Sequence, residues 1–288
     1  MSPSSAELVR RIEAAGQRVR TPYEGGEIAW HCWGEGRPLV LLHGGYGSWL
    51  HWVRNVAELS QRYRLLVPDM PGFGESGEST NPPHDIAEAL GRGLQKLAPD
   101  QSIVLAGFSF GSVVGGLIAR QALVPVETIV IVGGAGLDLP RKPLQMAKWR
   151  GVADDDARRE AHRANLATLM IHDPRRIDDF AIYVHDRSTG RARVASRPIS
   201  RLPLLREALA ATDVAIGGIL GEHDATAEPY LDRRRDLLQR LRPGSPFEVI
   251  ADAGHWVQFE APKHFNTALL RVLDAVRPRA KTHPVWTK

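Results

Sequence analysis

One serine of this 288-residue chain lies between two glycines in a pattern that suits a nucleophile. Ser109 is the centre of GFSFG, with Gly107 and Gly111 two residues away on either side. When such a G-x-S-x-G sequence joins a strand to a helix, the sharp turn exposes the serine hydroxyl. The five letters alone arise by chance in roughly one chain in ten of this length. The pattern therefore predicts a nucleophile only if a base and an acid accompany it.

A base and an acid do follow Ser109 along the chain. A serine hydroxyl needs a base to take its proton, and the base needs an acid that holds its tautomer. Asp224 follows the apolar run AIGGILG, and His255 follows the run FEVIAD. The order serine, aspartate, histidine is one of the orders in which such triads occur. We predict Ser109, Asp224 and His255 as the catalytic residues, with Asp138 as the alternative acid.

The anionic intermediate of such a reaction needs hydrogen-bond donors. The backbone N–H of Phe110, immediately after the nucleophile, is the first candidate. The second should come from the loop HGGYG, which follows the apolar run PLVLL. We expect it to be Gly45, because a residue without a side chain lets its N–H approach the negatively charged oxygen. For His43 in the same loop we expect a structural role, in which the ring braces the loop by hydrogen bonds.

The elements around these residues alternate between strands and helices. Short apolar runs without polar alternation, such as PLVLL, IVLAG and TIVIV, predict strands that are covered on both faces. Amphipathic stretches between them predict helices, so the chain indicates a mostly parallel central sheet flanked by helices. Two further helices are predicted, one amphipathic over residues 1–20 and one over residues 49–61.

The strand rhythm stops over residues 137–202 and then resumes. This stretch is rich in charge and predicts helix, with turns at residues 173–174 and 188–190. It predicts a helical cap inserted after strand 6, and a core divided between residues 1–136 and 203–288.

Composition narrows the setting and the partners. Hydrophobic residues make up 43% of the chain, enough for a full core, and the single cysteine forbids an intrachain disulfide. We recognise neither a signal peptide nor a membrane-spanning apolar run, and we expect a cytoplasmic protein with no membrane partner. The net charge of +4 comes from arginines mixed with acids, so no nucleic acid is expected. Metal and nucleotide spacings are missing, and we expect no metal and no cofactor.

Together these segments resemble the α/β-hydrolase superfamily with a serine nucleophile, from about Arg20 to Val276. Besides GFSFG, the stretch DMPGFGES at residues 69–76 is similar to the family's D-x-P-G-x-G-x-S pattern. The resemblance implies the α/β-hydrolase fold with a helical cap, and hydrolysis of a small carbonyl substrate through an acyl-enzyme or tetrahedral intermediate.

Within that superfamily, GSWLHWVRNV and GHWVQFEAPKHFN resemble the C–C bond hydrolases that cleave meta-ring-fission products, the 2-hydroxy-6-oxo-dienoates. The likeness implies that Trp256, beside the base, contacts substrate. It also implies that a cap arginine holds the substrate's carboxylate, and we take Arg191 because it follows a turn glycine. The chain has Phe108 and His51 where that subfamily carries asparagine.

Two other functions stay open beside this one. A carboxylesterase or lactonase on a small ester would use the same triad, and a non-catalytic ligand-binding member of the fold would use none of it. The expected partner is a small carbonyl compound, which is anionic in the C–C case, and a homodimer is one expected state of association.

Overall fold

Eight strands form one sheet at the centre of the molecule. This computed structural model describes residues 3–276 of the chain. The apolar runs of the sequence become strands that are buried on both faces, as in a parallel sheet covered by helices. In chain order the strands are β1 Gln17–Tyr23, β2 Gly26–Trp33, β3 Pro38–Leu42, β4 Arg64–Pro68, β5 Ile103–Phe108, β6 Val126–Val132, β7 Ala215–Gly221 and β8 Phe247–Ile250.

The strand order is β1-β2-β4-β3-β5-β6-β7-β8. The pairs β1–β2 and β2–β4 are antiparallel, and all the pairs from β4 to β8 are parallel. β4 lies on one side of β3 and β5 lies on the other, so the direction in which strands are added reverses at β3. In such sheets, ligands bind outside the carboxyl ends of the strands near this reversal. Because these strands are parallel, the carboxyl ends of β3, β5, β7 and β8 are at the same edge of the sheet.

Helices cover both faces of the sheet. In chain order they are α1 Ser5–Ala14, α2 Val56–Leu59, α3 His84–Leu97, α4 Phe110–Gln121, α5 Asp155–Asn165, α6 Asp179–Gly190, α7 Ser196–Ile199, α8 Leu204–Ala210, α9 Leu231–Leu241, α10 Val257–Glu260 and α11 Pro262–Ala275. One face of the sheet packs mainly against α10 and α11, and the other against α3, α4, α8 and α9. This is the mostly parallel sheet flanked by helices that the sequence predicts.

The segment predicted as a cap carries α5, α6 and α7 between β6 and β7. It contacts the core through polar side chains: Arg54 donates to Asp178 over 2.8 Å, and the hydroxyls of Ser48 and Ser188 are 2.9 Å apart. Residues of the segment and of the sheet edge together enclose one large cavity. Residues 277–288, which the sequence analysis assigns to the core, lie outside the described residues.

Three local predictions are wrong. The N-terminal helix ends at Ala14, and the chain then forms β1, because that stretch pairs with β2 in a full antiparallel register from Gln17 opposite Cys32. The helix predicted over residues 49–61 is divided into a 3-10 turn at Trp49–Trp52 and the short α2. The turn predicted at residues 188–190 is helical, since α6 runs on to its last residue there.

A helix that crosses a bilayer must be both long and apolar. No helix within residues 3–276 meets both requirements.

Candidate active site

Ser109 occupies the turn between β5 and α4. Its φ of 49° is in the left-handed region, an uncommon conformation for a residue with a side chain. The turn is held by the Ser109 N–H, which donates to Val132 O over 2.8 Å. Gly111 lets the helix pass close to β3, because a Cβ there would come within 2.5 Å of Leu42 O. The glycine pattern therefore serves a strained strand-to-helix turn, as the sequence predicts.

His255 and Asp224 meet behind this turn, on the loops after β8 and β7. His255 Nδ1 lies 2.8 Å from Asp224 Oδ2, and both residues are buried. The other carboxylate oxygen, Oδ1, accepts from the Thr226 N–H at 2.8 Å and from its hydroxyl at 2.7 Å. Burial alone would raise the pKa of Asp224, but His255, Arg234 and Thr226 hold that pKa well below its usual range. The carboxylate is therefore charged and fixed in orientation.

A buried arginine supports the acid loop. Arg234 of α9 is 3% exposed and donates to Thr226 O over 2.8 Å and to the Gly134 carbonyl. Burial lowers the pKa of this guanidinium, and the nearby Asp224 opposes that effect. Arg234 thus ties the loop after β7 to the loop after β6 and stabilises the charge on Asp224.

Ser109 and His255 line the same cavity, which has a volume of about 710 Å³. Among the described residues the Ser109 hydroxyl has no hydrogen-bond partner, and in proteins without substrate the bond from nucleophile to base is often loose. The alternative acid, Asp138, is on the cavity rim, where it pairs with Arg206 at 2.8 Å. The ring of His255 is hydrogen-bonded to Asp224 instead.

Two backbone N–H groups beside Ser109 are free. Within residues 3–276, neither the N–H of Gly45 nor that of Phe110 has an acceptor. The two residues are close, since a Cβ at Gly45 would lie 3.7 Å from Phe110 Cβ, and a Cβ at Gly44 would lie 3.4 Å from Ser109 Cβ. The loop after β3 therefore faces the start of α4 next to the serine.

His43 braces this loop from below. Its Nδ1 lies 2.8 Å from Gly44 O, and its Nε2 accepts from the Met70 N–H at 3.0 Å. Because Nε2 is an acceptor, Nδ1 carries the proton and donates to Gly44 O. Burial lowers the pKa of His43 to about 4, so the ring is neutral near pH 7.

Two residues predicted to bind substrate lie elsewhere. Trp256 is fully buried and does not line the cavity; its indole N–H donates to His51 O over 3.0 Å, and its ring stacks on Phe259. Arg191 does not line the cavity either, and it pairs with Glu75 at 3.2 Å. The side chain of Trp256 is thus part of the core, and that of Arg191 is on the surface.

Other cations do line the cavity. They are Arg141, Lys142, Arg197, Arg201 and Arg234. In the described part of the chain none of the first four forms an ion pair or a side-chain hydrogen bond. Burial lowers the pKa of Arg141 to about 10; the like charges of Arg234 and Arg201 add to that effect, and the charge of Asp224 opposes it. The cavity is therefore electropositive, and leucine, methionine and proline side chains form much of its remaining wall.

Three supporting side chains of the site escaped the sequence analysis. Thr226 had a detectable signal, because an aspartate side chain in a loop commonly accepts a hydrogen bond from the backbone N–H two residues later. Arg234 and Arg141 had none, since each is one of many arginines in a charged stretch, and only the fold brings them to the cavity.

The family model described as the alpha/beta hydrolase family matches residues 39–267, which include GFSFG and both loops of the Asp224–His255 pair. The chain belongs to the alpha/beta hydrolase family. Among solved structures, this alpha/beta hydrolase is similar to carboxylesterase CesB from Bacillus subtilis. The TM-score is 0.70 at 19% identity, over 93% of this chain and 98% of the other. At such low identity the likeness shows the fold alone.

Two relatives with different named activities are similar to this alpha/beta hydrolase. A pimeloyl-[acyl-carrier protein] methyl ester esterase of Vibrio campbellii is 33% identical over 125 residues, which are 43% of this chain and 46% of the relative. A 2-hydroxy-6-oxo-2,4-heptadienoate hydrolase of Pseudomonas putida is 27% identical over 92% of this chain and 96% of the relative. The chain thus spans less than half of the esterase, but nearly the whole of the dienoate hydrolase.

Proposed function

We propose that this alpha/beta hydrolase cleaves a carbonyl substrate with Ser109 as nucleophile, His255 as base and Asp224 as orienting acid. The observation that carries the proposal is the buried 2.8 Å contact between Asp224 Oδ2 and His255 Nδ1, beside a cavity that His255 shares with Ser109. A histidine held in this way presents its other nitrogen, Nε2, to a nucleophile. The free N–H groups of Gly45 and Phe110 supply the oxyanion hole.

The reaction balances with these groups and water. Ser109 Oγ bonds to the carbonyl carbon while its proton passes to His255 Nε2, and the carbonyl oxygen becomes an anion held by Gly45 and Phe110. The intermediate collapses, the scissile bond breaks, and the leaving atom takes the proton from His255. Water then attacks the acyl-enzyme, His255 accepts its proton, and that proton returns to Ser109 as the acid is released.

The bond that is cleaved separates the two leading alternatives. In an ester the leaving atom is an oxygen, and in a 2-hydroxy-6-oxo-dienoate it is a carbon whose negative charge the neighbouring carbonyl system spreads. Similarity over nearly the whole length of a dienoate hydrolase favours C–C hydrolysis. The higher identity to a methyl ester esterase favours an ester, although it covers less than half of that relative.

A substrate panel tests the proposed function. An aryl 2-hydroxy-6-oxo-dienoate, neutral p-nitrophenyl esters of short acids and simple lactones are compared by kcat/KM on the purified protein. We expect the dienoate to be cleaved with the largest kcat/KM. Turnover of neutral esters or lactones with the dienoate untouched replaces C–C hydrolysis by ester hydrolysis. If no substrate is turned over and a fluorophosphonate fails to label Ser109, the protein is a ligand-binding member.

The cations of the cavity favour a substrate with an anionic group. Arg141 is partly buried and forms no ion pair among residues 3–276. Arg234 and Arg201 repel it, and the charge of Asp224 offsets a part of this repulsion. Such an arrangement costs stability unless a ligand supplies the negative charge. Arginine pairs bidentately with carboxylates, and the apolar wall suits the rest of an acyl chain. We therefore assign to Arg141 and Arg201 the role that the resemblance gave to Arg191.

Replacing Arg141 by glutamine is expected to raise KM about tenfold for an acyl substrate that carries a carboxylate, because a hydrogen bond to a charged group is lost. KM for its uncharged isostere should change less than about twofold. The measurement is KM on a p-nitrophenyl monoester of a dicarboxylic acid and on the neutral ester of equal length. Arg191→Gln is the matched control and should alter neither value. Equal effects of Arg141→Gln on both esters would place the anionic group elsewhere.

A further inference from the structure

We infer that His51 is a positioning residue for the oxyanion hole: it fixes the Gly44 N–H and so holds the next N–H, that of Gly45, towards the cavity. The inference rests on the proposed function, because it assigns a task in the same reaction. It concerns a side chain that lies outside the triad and does not line the cavity.

Both polar backbone groups of Gly44 have histidine partners. The Gly44 N–H donates to His51 Nδ1 over 3.1 Å, and Gly44 O lies 2.8 Å from His43 Nδ1. Gly44 O also accepts from the Gly47 N–H at 3.2 Å. Since the peptide units on either side of Gly44 are planar, these bonds fix both of its dihedral angles. In a trans peptide the N–H of Gly45 points opposite to Gly44 O, so its direction is fixed as well.

A glycine without such partners would leave this direction open. Gly44 has no side chain of its own to anchor it, and glycine populates more backbone conformations than any other residue. Catalysis by an oxyanion hole depends on donors that are already aimed before the charge develops. The His51 ring therefore contributes to the reaction by removing alternative conformations of the Gly44–Gly45 segment.

The ring of His51 can accept this bond only in one form. Nδ1 must be unprotonated, so the proton of the neutral ring is on Nε2. Burial lowers the pKa of His51 well below its usual value, and His43, His185 and His255 nearby disfavour a charge further. A charged His51 would carry a proton on Nδ1 and would repel the Gly44 N–H.

Packing holds the ring in place. It meets Phe108 edge-on with 5.4 Å between ring centres, and it lies 5.0 Å from Trp256. The loop closes over it at Gly47, where a Cβ would come within 2.5 Å of His51 Nδ1. Trp256 also binds the backbone of His51 through its indole N–H. Phe108 and Trp256 thus hold the His51 ring in place, and this is a structural role for Trp256.

Two substitutions separate the hydrogen bond from the packing. His51→Leu removes the acceptor, whereas Asn in His51→Asn can place its side-chain oxygen where Nδ1 was. We expect His51→Leu to lower kcat about 30-fold with KM within twofold, since a misaimed donor costs less than the 100-fold or more of a lost one. Affinity for a boronic acid, which forms a tetrahedral adduct, should fall by a similar factor. His51→Asn should retain most of both.

The control is His31→Phe. His31 is another buried histidine, and its ring stacks on Trp49, which belongs to the same 3-10 turn as His51, with 4.8 Å between ring centres. Among the described residues the His31 ring forms no hydrogen bond, and its ring contacts are with Trp33 and Trp49. The His31→Phe substitution should leave kcat and the affinity for the boronic acid unchanged. Equal losses in His51→Leu and His51→Asn, or a loss confined to KM, would overturn the inference, because packing alone would then explain the effect.

The tautomer of His51 can also be measured in the wild-type protein, so this test does not depend on a variant that folds. With histidines labelled by ¹⁵N, the Nδ1 of His51 at pH 7 should have the chemical shift of an unprotonated nitrogen, and Nε2 that of a protonated one. A protonated Nδ1 refutes the inference. Failure of the proposed function looks different: Ser109→Ala would then retain full activity, whatever the state of His51.

Discussion

Ser109→Ala is expected to lower kcat/KM by about 10⁴-fold or more, while the protein stays folded. The alanine has no oxygen to attack a carbonyl, and only the oxyanion hole and substrate binding remain. The Ser109 hydroxyl has no hydrogen bond among the described residues, so its removal leaves no buried partner unsatisfied. Alanine at φ 49° is strained as serine is, and the melting temperature should stay close to that of the wild type.

The measurement is kcat/KM on the best substrate of the panel, with the melting temperature and labelling by a fluorophosphonate as companions. Ser200→Ala is the matched control, because Ser200 also lines the cavity but its hydroxyl donates to Ser196 O at 2.9 Å. It should retain activity and labelling within about twofold, since no base lies beside it. His255→Ala should match Ser109→Ala. Activity of Ser109→Ala near the wild-type level would end the triad proposal.

Much of the fold was predictable because local patterns determine it. Continuous apolar runs such as PLVLL need cover on both faces, and this requirement alone indicates a parallel sheet between helix layers. β1 was not predicted, because it lacks such a pattern. Its exposed, arginine-rich residues have no apolar run, and the strand exists because β2 offers a free edge for pairing. Only residues 24 and 25 separate the two strands, so the pairing is a hairpin, and the glycines of the turn were its only local signal.

For the candidate site, the chain order predicted positions better than side-chain directions. Asp224 and His255 each end a strand of a parallel sheet, so the topology alone brings their loops to one edge, and the structure has them in contact. For Arg191 and Trp256, the positions in the sequence did not indicate that neither side chain lines the cavity. Arg191 pairs with Glu75, which is far from it in the sequence, and Trp256 stacks on Phe259 of α10. The spacing of residues in the sequence does not predict such contacts.

Asp224→Asn is expected to lower kcat/KM by about 10³-fold to 10⁴-fold, although asparagine fits the same space. Thr226 donates two hydrogen bonds to Oδ1, so the amide of the variant will place its oxygen there and turn its NH₂ group towards His255. The NH₂ group is a donor, and His255 Nδ1 must then accept. Its proton moves to Nε2, the atom that has to receive the proton of Ser109. The base is therefore blocked in the wrong tautomer.

Asp138→Asn serves as the control for this prediction. Asp138 lies on the cavity rim, half exposed and paired with Arg206, so losing its charge should change kcat/KM by no more than about threefold. Both variants are compared by kcat/KM and by melting temperature. Asp224→Asn should also lose some stability, because Arg234 is buried beside it and loses a compensating charge. A large loss in Asp138→Asn with Asp224→Asn unaffected would move the acid to the loop after β6.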